Sequence, residues 1–266
     1  MHAFRIAYDG VPYYGFQRQP AVETVEGELF RALRELDVFE GEKPTNYAAA
    51  GRTDSGVSAL SQTVAFECPD WLTPAAFNSE LPEHVRVWAM GDAPSEFHAR
   101  YDAHSREYTY YRYAPDSDIE RLRAALCELS GTHDFHNLTP EDGGTTRAIL
   151  EAEADREGQF VVIVIRADSF LQRLVRRLVS LVSAVGRGER DLSFTERVLS
   201  AEQLSGPEGI ASAPPEPLVL TDVEYDLDFE IDEEATESAR GIFERKRIER
   251  ETGARVAGRI ANEMNG

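Results

Sequence analysis

The sequence predicts an α+β fold with a mostly antiparallel sheet. Hairpin-linked strands dominate the chain, and no clean βαβ alternation runs through it. Each half offers strands, a helix, more strands and another helix. The 266 residues suit one large domain or two modest ones with a real apolar core.

In chain order, Phe4 to Tyr8 reads as a strand closed by the turn signal Asp9-Gly10-Val11-Pro12. From Thr24 to Leu36, Val25, Leu29, Leu33 and Leu36 keep helical spacing behind a plausible N-cap at Thr24. A Gly-bounded loop, Gly51 to Gly56, precedes a strand over Ser61 to Cys68. A short helix over Trp71 to Glu80 and a strand over His84 to Met90 complete the first half. The polar stretch Gly91 to Glu96 marks a boundary, giving an N-terminal domain over 1–93. Arg106 to Tyr113 is an aromatic strand with Tyr108 and Tyr110 on one face, and Asp118 to Leu129 a helix. Arg147 to Arg156 and Phe160 to Ala167 form a strand pair about Glu157-Gly158. The spacing then predicts a helix over Phe170 to Val185, ended by Gly186 and Gly188. Leu218 to Phe229 is strand-like and closes a second domain over 94–230, and a charged helical tail fills 231–266.

Composition excludes several classes. The longest apolar run, near Phe160 to Ile165, is far too short to cross a bilayer. The opening MHAFRIAYDG lacks signal-peptide character, and Cys68 and Cys127 make neither a disulfide framework nor a metal-spaced cluster. These features point to a soluble cytoplasmic protein without a metal. The formal net charge of −20 argues at first against a nucleic-acid partner. Yet only Lys43 and Lys246 are lysines, and every other cation is arginine. Many acids with almost no lysine fits a chain working in molar salt, where the Debye length falls to about 3 Å and surface repulsion is screened.

Three segments are able to carry chemistry. In Gly51-Arg52-Thr53-Asp54-Ser55-Gly56, two glycines bracket four polar residues. Arg52 can turn back on Asp54 and keep it ionised, fit to act as nucleophile or base; alternatively Asp54 only caps a turn. Arg173, Arg176 and Arg177 share a helix face at i, i+3, i+4 spacing. Between Arg166 and Arg190 six arginines face Asp168 and Glu189, a local charge of +4. That is a candidate phosphate track or a solvated arginine face. From Phe97 to Tyr113 arginines, among them Arg100 and Arg106, interleave with tyrosines. These suit base stacking and phosphate contact, or a sheet whose tyrosines pack a core. The histidines His98, His104, His133 and His136 lack metal-ligand spacing.

These pieces, in this order, resemble the TruA-type tRNA pseudouridine synthases. Tyr8-Asp9-Gly10 with Tyr14-Gly15-Phe16-Gln17-Arg18-Gln19 is similar to the family's opening motif, and Gly51 to Val57 to its catalytic loop. Phe97-His98-Ala99-Arg100 with Arg106-Glu107-Tyr108-Thr109-Tyr110 resembles the central aromatic motif. Phe170 to Gly186 resembles the Val-Arg helix, and Pro214 to Leu220 the C-terminal strand motif. The likeness runs from about Arg5 to Tyr225. Ser58 stands where many members have His, and Pro217-Leu218 where many read Gly-Leu.

The resemblance implies two RRM-like halves sharing one extended sheet, and isomerisation of uridine to pseudouridine at positions 38, 39 and 40 of the tRNA anticodon arm. It implies no cofactor, a homodimer, and a source among halophilic archaea. By the same resemblance Asp54 is the catalytic carboxylate, Arg176 its basic partner and Tyr108 the stacking tyrosine. Arg52 would help extrude the base, and Leu220 would lie near the pocket floor. Competing readings are an RNA-binding module without catalysis and a carboxylate-pair glycosidic-bond hydrolase.

Overall fold

A computed structural model describes residues 1–204 and 209–264. The last two residues of the charged tail lie outside the described residues. The first half holds strand β1 (His2–Tyr8), helix α1 (Val25–Glu35), β2 (Ala48–Ala49), β3 (Ser58–Phe66), α2 (Pro74–Asn78) and β4 (Val85–Asp92). The second holds β5 (Ser105–Tyr113), α3 (Ile119–Leu129), β6 (Gly131–Asp134), β7 (Thr146–Glu157), β8 (Phe160–Ala167), α4 (Leu174–Gly186), α5 (Ser193–Leu199) and β9 (Leu218–Glu224). β10 (Glu230–Ile231) and α6 (Glu233–Glu263) complete the described chain.

The strands form one continuous sheet in the order β10-β4-β1-β3-β9-β5-β8-β7-β6, with β2 paired on β3. β3 and β9 pair in parallel through Ser58 with Val219 and Ala59 with Leu220. The other pairings are antiparallel. That short parallel joint links the halves, and it lies where the 51–56 loop enters β3.

Burial follows the helical and alternating patterns. In α1, Val25, Leu29 and Leu33 are buried, and the Thr24 side chain accepts a hydrogen bond from the backbone N–H of Gly27 as N-cap. They join Phe4, Ile6, Phe66 and Phe77 in one apolar cluster. A second cluster unites Leu122 and Leu126 of α3, Ile163 and Ile165 of β8, and Leu178 and Val182 of α4. Each such side chain contributes about 2 kcal/mol by leaving water. The joint strand serves both clusters: Leu218 packs in the second and Leu220 in the first.

Two expectations need correction. The helix predicted from Phe170 begins at Leu174, because Arg173 takes a left-handed backbone with φ of 62° at the N-cap. Phe170 instead packs edge-on against Tyr108, with ring centroids 5.2 Å apart. The strand predicted over Leu218 to Phe229 breaks after Glu224. Its continuation runs past Phe97, whose ring packs tilted against Tyr225 at 5.4 Å, and re-enters the sheet as β10 on the far edge beside β4. Gly91 permits that passage, since a Cβ there would lie 2.3 Å from the Asp228 carbonyl oxygen. β2, β6, α5 and β10 are too short for periodicity to mark them in the sequence.

Candidate active site

The 51–57 loop is set by its neighbours on three sides. Phe16 donates its N–H to the Thr53 carbonyl at 3.1 Å, and Gly56 donates to the Tyr13 carbonyl at 3.3 Å. Gly15 has φ of 96° and lies against the loop, where a Cβ would meet the Thr53 oxygen at 3.0 Å. The Tyr8 hydroxyl hydrogen-bonds the Thr53 hydroxyl at 2.8 Å. Gly56, with φ of 81°, packs against Pro215 of the Pro214 to Leu220 segment. Ser58 accepts the Gly10 N–H at 3.0 Å, so the residue at the family's frequent His position tethers the opening motif.

Asp54 is therefore presented from a rigid turn. Its Oδ2 lies 2.9 Å from Nη1 of Arg176, which comes from α4, 122 residues away in sequence. Arg176 is itself fixed: its Nε donates to the Ala213 carbonyl at 2.6 Å, and Ala213 returns its N–H to the Arg176 carbonyl at 3.0 Å. Both side chains are mostly buried, at 25% exposure for Asp54 and 16% for Arg176. Such a pair is screened far less than a surface one. The other oxygen, Oδ1, accepts no hydrogen bond among the described residues.

Tyr108 projects from β5, directly across from Leu220 of β9. Burial, then the neighbouring Tyr8 and the Asp54 charge, raise its pKa above the usual tyrosine value. Its hydroxyl thus stays neutral, a donor and acceptor beside the carboxylate. Asp54, Tyr108 and Arg176 all line one cleft of about 1100 Å³, large enough for a nucleotide. Eight cationic side chains line it, against the four carboxylates Asp54, Glu26, Glu42 and Glu141. The cleft is thus locally positive in a chain of net charge −20.

The remaining sequence candidates divide. Arg52 is exposed in the cleft lining, but the Asp54 ion partner is Arg176, so the local Arg52–Asp54 pairing is corrected. Thr53 and Ser55, on either side of Asp54, are tied instead to Tyr8 and to the Tyr13 carbonyl. Arg100 and Arg173 are exposed and also line the cleft. Arg106 lines it too, yet is 8% exposed. Its guanidinium donates to the carbonyls of Ala50 at 3.1 Å, Asp168 at 2.8 Å and Ala103 at 3.3 Å, and also to that of Arg100. Its geometry is that of a strut binding the entry of the 51–57 loop to the second half. Arg177 lies one turn along α4, outside the cleft lining, with its Nε buried and without a hydrogen-bond partner among the described residues. Leu220 is buried across the strand pair from Tyr108 and outside the cleft lining, while the buried Leu218 contributes to that lining.

The fold also brings in residues not singled out from sequence. Tyr101, 74% exposed, stacks on His98 at 4.3 Å at the cleft wall. Arg147 and Lys43 join from β7 and the loop before β2. Isolated cations carry no periodic signal, so only the folded arrangement of the elements brings them to the cleft. Among the described residues, no group of three or more His, Cys, Asp or Glu side chains is placed to hold a metal ion. No helix there is long and apolar enough to cross a membrane.

Comparison with known proteins assigns this arrangement to the pseudouridine synthase class: the family described as tRNA pseudouridine synthase matches residues 125–226. Proteins named tRNA pseudouridine synthase A match almost the whole chain. That of Halobacterium salinarum is 56% identical over 263 residues, covering 98% of this chain and 98% of its own. That of Natronomonas pharaonis is 56% identical, covering 98% and 99%, and that of Methanosarcina barkeri 40%, covering 98% and 97%. The chain belongs to the tRNA pseudouridine synthase family, and its high-identity relatives come from halophilic archaea. A solved archaeal box H/ACA sRNP Nop10-Cbf5 complex aligns at 17% identity over 66% of this chain and 45% of that one, with a TM-score of 0.35, too distant to bear on function.

Proposed function

We propose that this protein isomerises uridine to pseudouridine in the anticodon arm of tRNA, at positions 38, 39 and 40, with Asp54 as the catalytic carboxylate. The observation that carries the reading is the Asp54–Arg176 pair inside a cation-lined cleft beside a neutral Tyr108. The reaction conserves atoms. The bond from ribose carbon 1 to base nitrogen 1 breaks and the base turns. A bond to base carbon 5 forms, the proton leaves carbon 5, and nitrogen 1 gains one. The side chains that take part are regenerated, so the net change is an isomerisation. Flipping the uridine costs a few kcal/mol, which stacking on Tyr108 and insertion of Arg52 into the gap offset. Arg176 holds the carboxylate ionised and oriented, and the exposed Arg100 and Arg173 take phosphates.

A carboxylate-pair hydrolase would need a second free acid in the cleft. Glu26 accepts the Arg18 N–H, Glu42 pairs with Arg18, and Glu141 accepts the Gln172 N–H, so each is engaged elsewhere. The protein acts in the cytoplasm and as a homodimer on the same reading, and light scattering at high salt checks the dimer.

The test incubates the protein with unmodified tRNA transcript in high salt and maps pseudouridine chemically. Asp54→Ala is expected to abolish product while leaving tRNA affinity within a few fold. Persistent product in that variant sinks the assignment of Asp54, and free uracil with an abasic site would point to the hydrolase instead.

A further inference from the structure

Helix α6 begins as a docking helix. Ala235, Ala239 and Ile242 are buried, and its N-cap Asp232 accepts the N–H groups of Ala235 and, from α2, Ala75. One turn beyond Ile242 the contact turns ionic. Lys246 Nζ lies 2.9 Å from Oδ2 of Asp9 and also contacts Nδ1 of His84. Arg250 Nη2 lies 2.6 Å from the same Asp9 oxygen. Asp9 is only 5% exposed, so this carboxylate is desolvated and held by two cations. The Lys246 side chain is itself 15% exposed.

The neighbours of Asp9 give the contact a consequence. Tyr8, immediately before it, holds Thr53, the residue preceding Asp54, through the 2.8 Å hydroxyl contact. Gly10, immediately after it, donates to Ser58 and lies so close to Val57 that a Cβ would sit 2.0 Å from its carbonyl oxygen. Entry and exit of the catalytic loop are therefore both attached to the residues flanking Asp9.

We propose that α6 is a positioning element for the catalytic loop, with Lys246 and Arg250 fixing Asp9 and, through Tyr8 and Gly10, the placement of Asp54. Neither cation touches substrate. The inference rests on Asp54 being the catalytic carboxylate. It also gives a role to the charged tail, which lies beyond the last of the family-like sequence motifs.

The experiment measures single-turnover pseudouridine formation and tRNA affinity, in high salt, for the full chain and four variants. Lys246→Met with Arg250→Met is expected to slow the reaction by about tenfold or more, as a small misplacement of a reacting group does. Its tRNA affinity should stay within about twofold, since neither residue lines the cleft. Lys246→Met alone should give a smaller loss in the same direction, and it keeps the measurement available if the double variant does not fold. Lys246→Arg, which retains the cation, should recover most of the rate. Arg247→Met, whose partners Glu244 and Glu251 lie within α6, should leave the rate unchanged. A wild-type rate in folded Lys246→Met and in the double variant overturns the proposal. So does a rate loss matched by an equal loss of tRNA affinity, or one shared by Arg247→Met. A wild-type chain that forms no pseudouridine overturns the functional reading instead.

Discussion

Arg173 lines the cleft and Arg177 does not, although the N–H of Arg177 donates to the Arg173 carbonyl at 3.1 Å, preserving their spacing of four residues. The left-handed turn at Arg173 swings the first residue of the stripe toward the substrate side. Arg177, its pKa lowered by burial and then by Arg173, carries a cation in a partly desolvated site. The two should therefore behave differently. Arg173→Ala is expected to weaken tRNA binding by about three- to tenfold through loss of one phosphate contact, with little change in the rate once bound. Arg177→Ala should weaken binding less. Filter binding and single-turnover rates separate the two effects. Equal, unchanged affinities would return the stripe to a solvated arginine face.

Strand β1 is more than a sheet member, because its last residue carries the hydroxyl that holds Thr53. Burial raises the Tyr8 pKa above the ordinary tyrosine value, opposed in part by hydrogen bonds to Thr53 and Gln62. A raised folded-state pKa means that the unfolded chain loses this proton first. The stabilisation is therefore full below about pH 10 and is lost as pH rises beyond it. Tyr8→Phe is expected to lower stability at neutral pH by about 1 kcal/mol, through the lost hydrogen bond. It should also soften the alkaline fall by up to about 1.4 kcal/mol per pH unit, one proton's worth. Denaturant titrations at neutral pH and above pH 10 measure both, and identical alkaline slopes in the two proteins would refute the shift. The same elements show how helix limits depend on context. Periodicity alone extends α4 back to Phe170, whereas packing against Tyr108 takes that residue out of the helix.

For the whole molecule, the charge of −20 and the cationic cleft are compatible because they occupy different places. The two lysines retained are also placed with purpose: Lys43 lines the cleft and Lys246 is pinned to Asp9. In molar salt, counterion release adds little affinity. Shape fit, arginine hydrogen bonds and stacking on Tyr108 and Tyr101 then carry most of it. tRNA affinity is accordingly expected to change by less than about tenfold between moderate and molar KCl, where a basic binder with many phosphate contacts loses orders of magnitude. A salt titration of the dissociation constant decides this, and a steep collapse would show that phosphate neutralisation dominates after all.

The sequence by itself determined the elements whose patterns are local. The Thr24 cap, the apolar face of α1, the hairpin of β7 and β8, and the glycines bracketing Asp54 follow from side-chain periodicity and backbone sterics within a few residues. The ordered motifs of the family are legible in the same way, as residue types at fixed positions. Which side chains meet is a matter of tertiary structure, though the family resemblance already implied Arg176 as the partner of Asp54. Arg52 is two residues from Asp54 and does not pair with it, while Arg176 is 122 residues away and does. Arg106 became a buried strut rather than a surface cation, and the tail came back to Asp9. Such contacts depend on the parallel joint of β3 with β9 and on the path of the chain across the sheet. They are set by the packing of both apolar clusters at once, which no window of local sequence contains.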